Sequence, residues 1–342
     1  MPLTENVDLK IPVSSSTVTV RVIDSTTSLF LNPPLFWEPE IEGLEAVDAP
    51  VLCFLISNEN CGQTRHILFD LAVRKDWENC APATVKLINR TTHVRVKKGI
   101  ADILDSNTNT DECAIRSCDI EAIIWSHHHF DHVGDPSTFP TSTHLIVGPG
   151  IISAYVHGRE VREIDFNGHS PGRCKVGRFE GYDYFGDGSF YLLNAPGHCV
   201  GHMCGLARVS AGQGGAASDS FIFMGGDACH HAGLLQPSEY LPLSASLSPS
   251  IFHLHPKNST TEPFMTPSRT MFPEYDKAVD TIRKIQELDA ADNIFVILAH
   301  DGSIVDHIPL FPRPINDWQV HGLGFSTRWL FCRDFMGASD YF

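Results

Sequence analysis

Residues 127–132 read HHHFDH, directly after the apolar run EAIIW at 121–125. A short run of apolar and β-branched residues reads as a buried strand. The histidines and the aspartate therefore fall where that strand ends and the chain turns, which is where α/β sheets present functional side chains. Five potential ligands within six residues are costly to keep together unless something uses them. Imidazole and carboxylate in combination suit zinc and other borderline divalent ions.

Three further segments repeat the arrangement. APGHCVGH (195–202) follows the run FYLLN, FMGGDACHH (223–231) ends another apolar run, and VILAHD (296–301) places His300 at the end of a third. A lone histidine on a turn is ordinarily just solvated. Four strand ends that each deliver His or Asp describe one edge of a fold built to hold a metal. Strands are also expected at TVTVRVI (17–23), VLCFLIS (51–57), HILFD (66–70) and THLIVG (143–148). Between the strands lie helical patterns, clearest over 275–288, where Tyr275, Ala278, Val279, Ile282, Ile285 and Leu288 keep a 3.6-residue period. Strands alternating with helices indicate a layered α/β architecture. No internal repeat is present. Residues 26–49 and 232–272, rich in Pro and Ser but carrying Phe36, Trp37, Phe252 and Phe264, read as long loops that cover a site. Ala211–Ala217 reads as a hairpin tip.

The chain has 342 residues, 42% of them hydrophobic, and a formal charge of −16. An acidic chain without a Lys/Arg run is a poor partner for nucleic acid or an anionic membrane. The expected partner is a small-molecule substrate; the sequence says nothing of oligomeric state. The N-terminal residues MPLTENVDLK have no apolar core of a secretory signal, and no apolar run approaches the roughly 18 residues of a membrane span. A cytoplasmic protein is expected, its ten scattered cysteines reduced.

The motif H-x-H-x-D-H, met by His127, His129, Asp131 and His132, and the later His198, Asp227 and His300 in that order, resemble the metallo-β-lactamase superfamily over residues 50–300. The resemblance implies an α/β fold, a four-layered αββα sandwich (the metallo-β-lactamase fold), as a single domain over 1–342 with lid-like insertions at 26–49 and 232–272. It also implies a cofactor of two zinc ions (Zn2+) per chain. One would be held by His127, His129 and His198, the other by Asp131, His132 and His300, with Asp227 bridging. His128 points away if the segment is extended, and His202 reads as structural. Asp70, ending HILFD, matches the Asp with which the superfamily orients a metal ligand, although Ala72 stands where Gly is usual. Cys199 and Cys229 read as small buried residues rather than catalytic ones.

Two zinc ions roughly 3.5–4 Å apart can hold a bridging hydroxide at neutral pH, so no protein nucleophile is needed. FDLAVRKDW (69–77) and GDACHH (226–231) resemble fungal lactonase- and lactamase-like hydrolases, including enzymes that open benzoxazolinone-type cyclic carbamates. The resemblance implies hydrolysis of a small cyclic amide, carbamate or lactone in detoxification or secondary metabolism, with Asp131, Asp227 and His230 at the catalytic centre. A polyketide-releasing thioesterase is the alternative within the superfamily. A non-hydrolytic metal-binding or redox module is the alternative of another class. The acyl-homoserine lactonases carry Tyr three residues after the bridging Asp; here His230 stands there and is expected to act as a general acid.

Overall fold

Each apolar run singled out above becomes a strand, because β-branched and aromatic side chains fit a pleated surface buried on both sides. The computed structural model describes residues 9–335, apart from 42, 43, 45, 61, 110, 152–159, 169, 213–218 and 245–248. In chain order its strands are β1 (Val18–Leu31), β2 (Trp37–Glu38), β3 (Val47–Asn60), β4 (Gln63–Phe69), β5 (Val94–Val96), β6 (Ile120–Ile124), β7 (His144–Val147) and β8 (Val161–Glu163). Then follow β9 (Arg173–Val176), β10 (Phe179–Asp183), β11 (Phe190–Asn194), β12 (Met203–Ser210), β13 (Ser220–Met224), β14 (Thr266–Pro267) and β15 (Ile294–Ile297). A seven-stranded sheet runs β5-β1-β3-β4-β6-β7-β8, and a six-stranded sheet runs β15-β13-β12-β11-β10-β9.

The two-residue period of the strands sorts their side chains into layers. Phe54, Ile56, Phe69 and Ile124 of the first sheet share one core with Leu192, Ile222, Met224 and Ile297 of the second. The intervening residues face outward. Leu55, Leu68 and Ile123 pack with Ile100, Ala101 and Leu104 of the helix Ile100–Asp105. Leu193, Phe221 and Phe223 pack with Ile282, Ile285 and Leu288 of the helix Tyr275–Asp289. Two sheets face to face with helices outside give the αββα sandwich. Each fully buried Leu, Ile or Phe stabilises it by about 1.5–3 kcal/mol relative to exposure.

The long loops are shorter than the sequence suggests. Thr26–Leu31 belong to β1, because their apolar alternation keeps pairing with β3 beyond an irregularity at Asp24/Ser28. Pro33 and Pro34 end that pairing, and β3 begins again at Val47. Within 232–272 the chain forms the helix Pro249–Leu254 and β14, which pairs with β2. The two insertions are thus tied to each other. β12 and β13 pair antiparallel on either side of the expected hairpin tip, of which residues 213–218 lie outside the described set. Among the described residues, no helix is long and apolar enough to cross a membrane.

Candidate metal centre

Four strand ends converge as the sequence suggests. β6 leads through Trp125 and Ser126 to His127, and a single helical turn, Phe130–Val133, places Asp131 and His132. The turn after β11 carries His198. Its Gly197 lies so close to the helix Tyr275–Asp289 that a Cβ would meet the Ala278 backbone at 2.3 Å. After β13, Gly226 takes φ +50, a conformation glycine adopts freely, and delivers Asp227. The segment after β15 brings His300, anchored where Leu52 N–H donates to the Ala299 carbonyl (2.8 Å).

Asp227 sits at the centre with its two oxygens turned to different partners. Its Oδ1 lies 3.0 Å from His132 Nε2 and 3.1 Å from His300 Nε2. Its Oδ2 lies 3.5 Å from His127 Nε2, 3.5 Å from His198 Nε2 and 3.2 Å from His230 Nε2. His198 Nε2 and His129 Nδ1 face each other at 2.9 Å. Asp131 Oδ2 is 3.5 Å from His300 Nε2. Two groups of potential ligands result, one around His127, His129 and His198, the other formed by Asp131, His132, Asp227 and His300. A third grouping joins His198, Asp227 and His230.

The far side of each ring is held by the scaffold. His132 Nδ1 is 2.8 Å from Asp70 Oδ2, while Asp70 Oδ1 accepts from the Ser126 N–H (2.6 Å). His300 Nδ1 donates to the Pro50 carbonyl (2.9 Å), and His127 Nδ1 pairs with Ser126 Oγ (3.0 Å). Nδ1 donation by His132 and His300 aims Nε2 of each ring inward, the nitrogen that would ligate a metal once its proton is displaced. His202 donates from Nδ1 to the Ala195 carbonyl (3.0 Å), so its Nε2 accepts the Asp227 N–H (3.0 Å). It holds the central aspartate rather than joining the cluster. His128 lies outside the ligand groups.

Burial shapes the charges. It lowers the pKa of His127 and His198 and takes His129 and His202 down to about 4, keeping these rings neutral. Burial is the largest influence on His132 and His300 too and acts downward, but the carboxylates around them together overcome it and raise both: Asp227 foremost, with Asp70 and Asp131 at His132 and Asp131 at His300. For Asp227 burial acts upward, and the surrounding imidazoles, His132 and His300 foremost, overcome it and hold the carboxylate ionised.

The residues fit a metal. His127 Nε2, His132 Nε2, His300 Nε2 and Asp227 Oδ1 are buried and make no hydrogen bond. Such groups cost roughly 1–3 kcal/mol each when left unsatisfied. Lone pairs converging on one space around a buried carboxylate call for a cation.

Aromatic rings from both insertions lie against the cluster. Phe36 lies 4.6 Å from the His230 ring; Phe272 lies 5.3 Å from His198 and 5.4 Å from His230. Trp37 is one layer out, 5.4 Å from His231. Phe264 packs on His255 and Phe335, and Phe252 on His253; neither has a ring contact to the cluster. Phe272, Ser126 and the Pro50 carbonyl were not legible as site groups. Nor was Asp334, whose Oδ2 is 3.1 Å from His231 Nε2; a partner 103 residues away leaves no local signal.

No family model matches the chain. A metallo-hydrolase of Annulohypoxylon moriforme is 49% identical over 96% of this chain and 90% of its own length. A γ-lactamase of Fusarium pseudograminearum is 40% identical over 95% of this chain and 84% of its own. A cytochrome P450 monooxygenase of Penicillium roqueforti is 49% identical over 97% of this chain, which spans 39% of that protein's length. Among solved structures, a B. thuringiensis enzyme with N-decanoyl-L-homoserine bound at its active site superposes with a TM-score of 0.53. It is 17% identical and covers 88% of this chain and 100% of its own. At that identity the likeness speaks for the fold.

Proposed function

The chain belongs to the metallo-β-lactamase superfamily and is a metal-dependent hydrolase, and from that premise we propose that it opens a small cyclic amide or carbamate, or a lactone, with two zinc ions. His127, His129 and His198 would hold the first ion, Asp131, His132 and His300 the second, and Asp227 both. The observation that carries this is the division of the Asp227 oxygens between two sets of imidazoles. When bound, the ions supply Lewis acidity for the carbonyl and lower the pKa of water towards about 7. The γ-lactamase relative supports the substrate class, and detoxification or secondary metabolism is the setting we infer for it. The protein acts as a single domain whose tied insertions form a lid. Phe36 and Phe272 place apolar surface beside the reacting atoms, which suits a small, mostly apolar ring.

His230 serves as general acid. Its Nδ1 is buried without a hydrogen bond and its Nε2 lies against Asp227. A departing amine must be protonated as the C–N bond breaks, whereas an alcohol leaves more easily. Imidazole is the side chain suited to giving that proton near neutral pH. The test compares His230→Gln on a lactam and a lactone of the same ring. The lactam rate falls by roughly 10²–10⁴, the cost of losing a general acid, and the lactone rate falls less. Equal small losses make His230 a packing residue. Turnover of carrier-bound thioesters but of neither ring would move the reading to the thioesterase. Fewer than one metal per chain after zinc loading overturns it.

A further inference from the structure

Cys199 follows His198 in the turn that carries this ligand, and it is buried. Its Sγ and one ring nitrogen each of His127, His129 and His198 all lie within 4.8 Å of one another. His127 Nε2 is buried without a hydrogen bond, and the side chains of His127 and His198 are fully buried. A cysteine read as small filler therefore stands among imidazole nitrogens gathered around one position. We propose that Cys199 is a fourth protein donor at the first metal position, so that the two positions differ in kind. Besides the shared Asp227, the first offers three imidazoles and a thiolate, and the second offers two imidazoles and the Asp131 carboxylate. The inference rests on the two-ion reading of the same cluster.

The chemistry follows from donor softness. Thiolate selects zinc, cadmium and other thiophilic ions, while carboxylate accepts manganese and other harder ions more readily. As the ion enters, the S–H bond breaks, a sulfur–metal bond forms and the proton leaves to solvent, as thiol ligation requires. The ion's charge then repays the cost of a buried thiolate. The asymmetry gives the chain a preference order: a soft ion settles first beside Cys199, and a harder ion is tolerated only across Asp227.

Cobalt(II) substitution of the full chain separates the possibilities. Visible ligand-field bands report that cobalt is bound, and a near-ultraviolet sulfur-to-cobalt charge-transfer band reports sulfur among its donors. The wild type shows both. Cys199→Ser and Cys199→Ala keep the visible bands and lose the ultraviolet one, whereas Cys229→Ser keeps both. In competition between cadmium and manganese, Cys199→Ser lowers the preference for cadmium by about tenfold or more, the scale on which neighbouring groups tune metal affinity. Cadmium-loaded wild type gives its own sulfur charge-transfer band, so the assignment is readable if a variant fails to fold. Visible bands without the ultraviolet band in the wild type, or an ultraviolet band that survives Cys199→Ser, overturn the proposal. Failure to take up any cobalt or zinc overturns the two-ion reading itself, and the sulfur assignment with it.

Discussion

The floor and the cover of the cluster are built on opposite principles. The floor consists of strand ends, and its rings are held from behind: His132 by Asp70, His300 by the Pro50 carbonyl, His127 by Ser126. The cover comes from two insertions some 230 residues apart, joined by the pairing of β2 with β14. It meets the cluster through the rings of Phe36 and Phe272. Directional hydrogen bonds fix the floor; apolar contact, which has no direction, sets the cover. Each property of the hydrolase thus has its own place in the fold. Chemistry sits on rigid sheet edges, and selectivity sits on loops that can be rebuilt without disturbing it.

Substitutions in the floor are therefore more damaging than substitutions in the cover. Asp227→Ala removes the residue that both halves of the cluster share. Its loss in kcat/KM exceeds the roughly 100-fold that a residue merely orienting a ligand can cost, and metal content falls at both positions. Retention of both metals with activity reduced less than that would deny Asp227 its central role. Asp70→Asn is the milder blow. The amide can still reach His132 Nδ1 but no longer carries the charge that fixes the ring's tautomer. Metal affinity drops by roughly 10–100-fold, as titration against a chelator would measure.

On the cover, Phe36→Ala and Phe272→Ala change KM or the ranking of ring substrates by roughly tenfold, the worth of a lost apolar contact in a pocket, and leave metal content unchanged. Phe252→Ala, whose ring packs on His253 away from the cluster, changes neither. If Phe36→Ala instead strips metal from the protein, floor and cover are one structure and the distinction fails.

The same contrast explains what could be read in the sequence. HHHFDH, GHCVGH, GGDACHH and LAHD are local strings, each at the end of an apolar run, so both the strand and the clustered His and Asp show in adjacent letters. Asp70 was legible because it too ends a run, HILFD. Phe272 was not: it lies in a turn before the helix Tyr275–Asp289, and only the folded chain sets its ring against His198. Asp334 and the Pro50 carbonyl met their histidines through packing alone. The extent of β1 was missed because Ser and Thr in DSTTSLFL resemble loop residues, although pairing with β3 carries the strand through to Leu31. The shortened loop sets Phe36 against the His230 ring, 4.6 Å away.

The smallest effect tests how much backbone strain the floor tolerates. Ala72, where the superfamily usually has Gly, takes φ +57 in the turn that links Asp70 to the His132 segment. Its carbonyl accepts the Gly134 N–H at 2.8 Å, and it is buried. A left-handed conformation costs a residue with a Cβ roughly 1–2 kcal/mol, which Gly would recover. Against that, Gly gives up one buried methyl, about 0.8 kcal/mol, and about 0.4–1 kcal/mol of unfolded-chain entropy. The terms nearly cancel, so Ala72→Gly changes stability by less than about 1 kcal/mol. Ala122 is the control, equally buried but in the extended backbone of β6. Ala122→Gly has no strain to relieve and loses the methyl and the entropy together, about 1.5 kcal/mol. Urea unfolding of both variants reads the difference directly. A gap of about 1–2 kcal/mol in favour of position 72 measures the strain that the hydrogen-bonded floor holds in place. Equal losses at the two positions would mean that the Asp70 turn is relaxed, and that Ala serves there as well as Gly.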